Sequence, residues 1–325
     1  MTATGFLAQN PAMRSFTTWR DVPQDVRGGV VALGNFDGVH LGHLQVLRAG
    51  HAARPDAPLN VLTFEPHPRE LFRPEDPPFH LTLPAARRVL LAEHGVAATF
   101  ELPFDTAFSL MSADAFVSDV LAKGLGAAHL VCGEDFAFGH RRGGDVAFLA
   151  HRAEALGIGV TFVPPLLLGT GPISSSRIRR ALQDGYPERA AAMLGRHWAI
   201  EGEVLHGDKR GRTIGFPTAN VALGRHLEPA RGVYAVLART PDGLVHRGVA
   251  NIGRRPTVNA GTGSRLEAHL FDYAGDLYRQ TLSVALVAFL RGERKFDGLS
   301  ALRAQIAEDA AEARRLLDLA APASA

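Results

Sequence analysis

Residues 30–50 read VVALGNFDGVHLGHLQVLRAG. The opening run, Val30 to Leu33, is short, apolar and β-branched, which marks a core strand, while LGHLQVLRAGHAA at 41–53 carries helical spacing. What lies between, GNFDGVHLGH at 34–43, is therefore a strand-to-helix turn. Gly34, Gly38 and Gly42 remove Cβ atoms where the backbone must turn tightly or admit a ligand. The helix start directs unpaired N–H groups and a partial positive charge at the turn, a ready phosphate site. His40 and His43, at i and i+3, share one face of that first turn.

Plainer readings compete with a phosphate turn. A GxxxGxxxG spacing arises by chance in a chain with 34 glycines. An HxxH pair also serves as a metal half-site, but zinc needs a third and usually a fourth ligand, and no nearby Cys or His cluster supplies them. Ordinary capping or surface histidines are a third reading. Strand, glycines and paired imidazoles coincide here, which favours phosphate.

Strand and helix go on alternating after this turn. Strands are expected at 30–33, 59–64, 98–104, 128–133 and 159–164, with helices at 41–53, 84–94, 112–123 and 144–156. That order predicts a parallel sheet covered on both faces, which binds ligands beyond the carboxyl ends of its strands. After about Arg196 the texture changes to short alternating runs (WAIEGEVLHG, GVYAVLART, LVHRGVANIG, SRLEAHLFDY, QTLSVALVAFL) separated by turn residues. These predict a small antiparallel barrel. An amphipathic helix closes the chain, with Leu299, Leu302, Ile306, Ala313 and Leu317 on one side. The fold class is thus α/β plus β. Its expected parts are a lead-in over 1–28, an α/β domain over 29–185, a linker helix at 186–195 and a barrel domain over 196–325.

Composition narrows the function. The chain has 325 residues, 46% hydrophobic and 21% charged, enough for two cores. With 35 basic and 33 acidic residues the net charge is +2, so no general nucleic-acid field is expected. No apolar stretch approaches the roughly 18 to 20 residues that span a bilayer, and no membrane partner is expected. The N-terminal residues lack a signal peptide's apolar segment and read as a lead-in, with Met13 an alternative start. The single cysteine, Cys132, excludes an internal disulfide and fits a reducing cytoplasm. Its setting after Leu130 and Val131 is that of a buried strand residue.

Four further stretches carry chemistry. TFEPHP at 63–68 takes the chain abruptly out of the sheet. CGEDFAFGHRRGGD at 132–145, beyond the fourth strand, is a ligand loop by position. In ISSSRIRRAL at 173–182, serines 174–176 cap a helix whose first turn carries Arg177 and Arg179. Hydroxyls and an Arg at a helix start suit phosphate oxygens, so two such starts in one domain point to a nucleoside triphosphate. HGDKRGRTIGFPTAN at 206–220 is no Walker loop, because no GK[ST] follows at the required spacing. Its Gly207, Gly211 and Gly215 with Lys209, Arg210 and Arg212 suit a basic flap over phosphates. Thr218 and Asn220 share one face of an extended segment and offer the hard oxygens Mg²⁺ prefers; a turn with a structural Asn is the alternative. In RLEAHLFDY, Leu266, Ala268 and Leu270 face one side and Glu267 and His269 the other. An exposed strand Glu is the ordinary account, and a base beside a ligand cavity the sharper one.

Taken together, GNFDGVHLGH, TFEPHP, GEDFAFG, ISSSRIR, GRTIGFPTAN, NIGRRPT and GDLY with ERKF resemble the bacterial bifunctional riboflavin kinase and FMN adenylyltransferase family, also called FAD synthetase. The resemblance runs from about Gly28 to Ala313, in the family's order. It implies an N-terminal Rossmann-like nucleotidyltransferase domain and a C-terminal kinase domain on a six-stranded barrel. It further implies phosphorylation of riboflavin at the second site and joining of FMN to AMP at the first, giving FAD, with Mg²⁺ and ATP at both. By position, Gly34, Phe36, Asp37, His40, His43, Ser175, Ser176 and Arg179 fall in the family's adenylyltransferase ATP site, and His43 and Arg179 on its catalytic groups. Asp135 and Arg291 fall near flavin. Gly207, Gly211, Gly215, Thr218 and Asn220 fall in the kinase ATP site, the last two on the metal, and Glu267 on the kinase base. Three positions depart from the common pattern: Ser176 where Thr is frequent, Arg87 where Lys is, and Arg279 after GDLY where Gly is usual. The last puts that turn's conformation in question. Rival readings are an adenylyltransferase for another small phosphorylated substrate and a non-catalytic flavin-binding regulator. The second domain argues against the first, and Glu267, Thr218 and Asn220 against the other.

The two reactions place different demands on a protein. Riboflavin attacks through an un-ionised alcohol and benefits from a base. FMN attacks through a phosphate monoester whose second pKa, about 6, leaves it mostly ionised, so that site needs cations and N–H donors rather than a base.

Overall fold

Four consecutive apolar residues with no polar face, Val30–Leu33, are what a strand buried on both sides requires, and all four are buried in the computed structural model. The structure describes residues 13–206, 215–254 and 264–320. The described chain divides into two compact units. One takes everything up to Pro77 together with Thr82–Ser174, and the other takes Pro78–Leu81 and the chain from Ser175.

The first unit is built on a six-stranded parallel sheet in the order β1-β4-β3-β2-β5-β6. Its strands are β1 (Arg14–Phe16), β2 (Val30–Leu33), β3 (Leu59–Phe64), β4 (Ala98–Leu102), β5 (His129–Gly133) and β6 (Gly159–Val163). Between them run the helices α1 (Leu41–Ala53), α2 (Pro68–Phe72), α3 (Pro84–Glu93), α4 (Thr106–Ser109) and α5 (Ala113–Ala115), the last continuing as a π-helical stretch over Phe116–Gly124, and then α6 (Val146–Glu154). Alternate residues of β2 feed opposite faces. Val31 and Leu33 pack with Phe116, Val120 and Leu149, while Val30 and Ala32 pack with Leu47 and Leu91. From β2 the chain steps one way to β3 and β4, and β5 and β6 add on the other side. The crossover direction therefore reverses between β2 and β5, where a parallel sheet opens a ligand crevice. Strand β1 lies within the stretch read as lead-in. Three residues are too short for a periodic signal, and its place on the sheet edge is held by pairing with β4 and by the Phe16 ring on Phe100, 5.2 Å between centroids.

The second unit carries α7 (Ser175–Gln183) and α8 (Pro187–Leu194), then a closed barrel of six antiparallel strands. These are β9 (Trp198–Leu205), β10 (Ala219–Ala222), β11 (Gly232–Arg239), β12 (Val245–Arg254), β13 (Ser264–Leu270) and β14 (Thr281–Arg291), numbered after the small ribbon β7 (Leu167–Leu168) and β8 (Gly171–Pro172) of the first unit. β10 completes the ring between β13 and β9. The closing helix, Leu299–Ala320, lays Ala313 and Leu317 on Val233, Val249, Phe271 and Val287 of the barrel. Leu299, expected on that buried side, is 67% exposed, because the packed face begins further along the helix.

Two expectations follow from backbone and burial. Arg279 takes φ +63°, a left-handed conformation that glycine adopts without strain. Arg279→Gly is expected to stabilise the barrel by about 0.5 to 1 kcal/mol in urea unfolding, relief of strain outweighing the freer unfolded chain. Cys132 is fully buried, and burial, helped by the Asp135 carboxylate, pushes its thiol up to about 12. At pH 8 the thiol stays protonated in the folded chain and is expected to resist Ellman's reagent until denaturant is added.

Candidate active sites

At the carboxyl end of β2 the backbone turns through Phe36 (φ +51°), Gly38 (+90°) and Val39 (+38°). Left-handed Phe and Val cost energy and persist only where neighbours over-determine them. Both are buried, at 1% and 0% exposure, and a second anchor comes from Asp37. Its Oδ1 accepts the Thr82 amide at 2.9 Å, and Gly38 N donates to Thr82 Oγ1 at 2.9 Å. Asp37, placed by resemblance in the ATP site, is itself 2% exposed and holds the turn in shape. Thr63 Oγ1 fastens the other flank by donating to Asn35 O, 3.1 Å.

The two histidines cap α1 reciprocally. His43 N donates to His40 Nδ1 at 3.2 Å and His40 N to His43 Nδ1 at 3.3 Å. This is the capping-box arrangement with imidazoles in both roles. Each Nδ1 acts as an acceptor, so each neutral ring carries its proton on Nε2, the tautomer that donates to a phosphate oxygen. The rings stack with centroids 3.6 Å apart, and Phe36 lies 5.0 Å from His43. Gly42 leaves room for the stack: a Cβ there would meet His40 Cε1 at 3.1 Å and press on the ring. A Cβ at Gly34 would likewise press on Phe36, at 3.3 Å.

Asp135 follows β5, the strand paired with β2, so its turn and the histidine turn emerge from neighbouring strand ends at the reversal point. Its side chain is exposed. Behind TFEPHP, Arg87 is buried at 1% exposure, with Nη2 3.5 Å from Glu65 and 3.9 Å from Glu101. Its Nε and Nη2 form no hydrogen bond among the described residues. Ser175, Ser176 and Arg179 open α7 in the second unit, seated by the buried Ile178 and Leu182.

In the barrel, strand register brings Asn220 and Glu267, two of the expected kinase residues, into one row with Asn251. Asn220 on β10 is directly opposite Glu267 on β13, and Glu267 is directly opposite Asn251 on β12. Burial along β13 alternates, with Leu266, Ala268 and Leu270 inside and Glu267 and His269 half-buried on the other face. Asn220 is 5% exposed, and its Oδ1 accepts no hydrogen bond among the described residues. A buried amide oxygen with no such partner is costly and suits a hard cation. Thr218 precedes β10 and lines a cavity of about 360 Å³ together with Val204, Ala268, Leu270 and Tyr278. Asn220 and Glu267 stand beside that cavity's Ala219 and Ala268 walls, on the opposite strand face. His269 Nδ1 donates to Pro217 O at 2.8 Å and so fixes the approach to Thr218. Gly215 is left-handed, and the other flap residues, including Gly207 and Gly211, lie outside the described residues, as do Arg255 to Thr257 of NIGRRPT. Among the described residues no group of three or more His, Cys, Asp or Glu side chains is placed to hold a metal. Arg291, expected near flavin, forms a two-pronged pair with Asp309 of the closing helix (2.9 and 2.6 Å) and donates to Gly292 O.

Comparison with known proteins follows this division. Residues 22–177 match the family model described as FAD synthetase and residues 194–317 the one described as riboflavin kinase. The chain is 41% identical over 313 residues to the bifunctional riboflavin kinase/FMN adenylyltransferase of Escherichia coli strain K12, covering 96% of this chain and 99% of that protein. The chain belongs to this family. The Bacillus subtilis family member is 37% identical over 300 residues, covering 90% of this chain and 94% of its own. A crystal structure described as a macrolide-efflux protein from Streptococcus pneumoniae superimposes with a TM-score of 0.84 at 34% identity, covering 94% of this chain and 99% of that one. No helix among the described residues is long and apolar enough to cross a membrane.

Thr82 was not singled out by sequence, Asn251 appeared only as the first residue of NIGRRPT, and His269 only as a neighbour on the Glu267 face. Thr82 meets Asp37 across 45 residues, which no local pattern reveals. Asn251, a polar residue inside the apolar run GVANIG, offered the one usable hint. Thr82→Val is expected to leave the Gly38 amide without its acceptor at a cost of about 1 to 3 kcal/mol in urea unfolding, with Thr82→Ser restoring stability.

Proposed function

We propose that the chain phosphorylates riboflavin to FMN with ATP in the barrel and joins FMN to AMP, releasing pyrophosphate and giving FAD, through the GNFDGVHLGH and ISSSRIR residues. Residues 29–185 would serve the adenylyl transfer, 186–195 link, and 196–325 serve the phosphorylation. Membership of both matched families supports the two activities, and the Asn220–Glu267–Asn251 row carries the division between them. We place the protein in the cytoplasm, where its lone buried thiol needs no partner.

Glu267 takes the proton of the attacking riboflavin alcohol. Thr218 and the Asn220 Oδ1 would hold Mg²⁺, whose bound charge offsets that of the ATP phosphates, and Gly207, Gly211 and Gly215 would let backbone amides close on them. FMN needs no such base. His40 and His43 donate from Nε2 to ATP oxygens, Ser175, Ser176 and Arg179 add hydroxyl and guanidinium contacts, and the α1 start supplies dipole. Gly34 and Phe36 shape that turn and Asp37 pins it. Asp135 meets the flavin from the neighbouring strand end, and Arg291, held in place by Asp309, lies near flavin in the barrel.

Single substitutions separate the two steps. Glu267→Ala is expected to lower FMN formation by about 10² to 10³ while FAD formation from supplied FMN persists. His43→Gln keeps an acceptor for the His40 amide, so it tests the imidazole rather than the cap, and is expected to do the reverse. Equal loss of both reactions in either folded variant contradicts the division.

A further inference from the structure

Glycine stands at two places where the chain leaving β14 crosses β11 and β12. A Cβ on Gly232 of β11 would collide with Arg291 O and stand 3.0 Å from Gly292 Cα, so the backbone of 291–292 lies directly on that strand. One strand further, a Cβ on Gly253 of β12 would collide with Glu293 Oε1 and stand 3.3 Å from both Glu293 Cδ and Asn251 Nδ2. The Glu293 carboxylate therefore fills the space that a side chain at 253 would take, next to the Asn251 amide. We propose that Glu293, seated in this notch, accepts hydrogen bonds from the polyol hydroxyls of riboflavin and is a specificity-determining residue of the phosphorylation. This rests on the reading of Glu267 and Asn220 given above.

The strand face decides which ligand Glu293 meets. Asn251 is directly opposite Glu267, and Gly253, two residues along, is opposite Arg265, so all four share one face of β12 and β13. Ile252, Leu266 and Ala268 are buried on the other. The strand order β10-β13-β12 then gives the base two flanks. On β10 stands Asn220, the metal-side group, and on β12 stand Asn251 and the Glu293 carboxylate. In phosphoryl transfer the attacking and leaving oxygens lie roughly in line, on opposite sides of the phosphorus. ATP on the β10 flank leaves the β12 flank for riboflavin. Its attacking alcohol ends a chain of further hydroxyls, and a chain whose end lies at Glu267 carries those hydroxyls along β12 past Asn251. From Asn251 to Gly253 is about 7 Å of strand, the span of a few carbon atoms. Hydroxyls donate, and a carboxylate accepts through charge-assisted bonds that are shorter and stronger than neutral ones. Glu293 is exposed, so a ligand can reach it. The chain that carries it is fixed just before, where Arg291 pairs with the buried Asp309 and donates to Gly292 O at 3.0 Å.

The test measures FMN formation from riboflavin and FAD formation from supplied FMN on the same purified samples. Glu293→Ala is expected to lower kcat/KM for riboflavin about 10-fold, with KM for ATP and the rate of FAD formation unchanged. Gly253→Ala keeps the carboxylate in the chain but puts a methyl group where it sits. Only side-chain ends stand in the way of that methyl, so the variant is expected to unfold in urea no earlier than the parent and to lose a similar factor for riboflavin. On a Glu293→Ala background, Gly253→Ala is expected to add nothing, since the group it displaces is gone. The proposal is overturned if either single variant keeps the parent kcat/KM for riboflavin, if FAD formation falls in step, or if the two factors multiply. Glu267→Ala by itself probes the underlying reading. A variant that makes FMN at the parent rate removes that reading and the proposal with it, whereas loss of FMN formation in Glu267→Ala with inert Glu293→Ala and Gly253→Ala removes the proposal alone.

Discussion

The buried Asp37 carboxylate accepting the Thr82 amide is the interaction on which the first site depends. Beside the burial of Phe36 and Val39, it helps keep both in the left-handed region and fixes the approach to the start of α1. With it, the chain leaves β2, reverses over a few residues and enters α1 with His40 at the cap. The histidines then do two jobs with different atoms. Nδ1 completes the helix start and Nε2 carries the donor proton. One hydrogen-bond pattern thus stabilises the fold and selects the tautomer the chemistry calls for.

The barrel solves a different problem. Its ligand-handling oxygens come from strands, so register does the positioning that capping does in the sheet unit. A slip of one residue between β10 and β13 would send Asn220 and Glu267 to opposite faces. The apolar side of the same strands, Leu266, Ala268 and Leu270, fixes that register by being buried, so core packing and the placement of the carboxylate are one constraint. His269 extends the arrangement by holding Pro217, which sets the path of the chain into Thr218. Arg291, whose register partner Val233 lies opposite Asn251, shows the same economy, since its pairing with Asp309 seats the closing helix.

Much of this was legible from residues. The strands from Val30, Leu59, Ala98 and His129 and the helix 41–53 follow from periodicity alone, and the pairing of His40 with His43 from their spacing. The Thr218–Asn220 segment was readable as extended, and β10 begins within it. Contacts across long stretches of chain were not readable. Thr82 on Asp37, Phe79 on Arg179 and His269 on Pro217 join residues 45, 100 and 52 apart, and no composition or period encodes them. β1 was hidden for another reason, since three residues carry no pattern and only pairing with β4 defines them. Leu299 shows the limit of periodicity itself, which tells which face of a helix is apolar but not where along it the packing starts.

The central claim is that two anion-handling sites, one with a proton acceptor and one without, work in succession on one flavin. Its most direct test is a time course in which the purified chain is given riboflavin and MgATP and the flavins are separated by chromatography. The account predicts that FMN accumulates first and FAD follows at its expense. Riboflavin that remains unconverted in a folded, magnesium-supplied sample, together with supplied FMN that remains FMN, would contradict it.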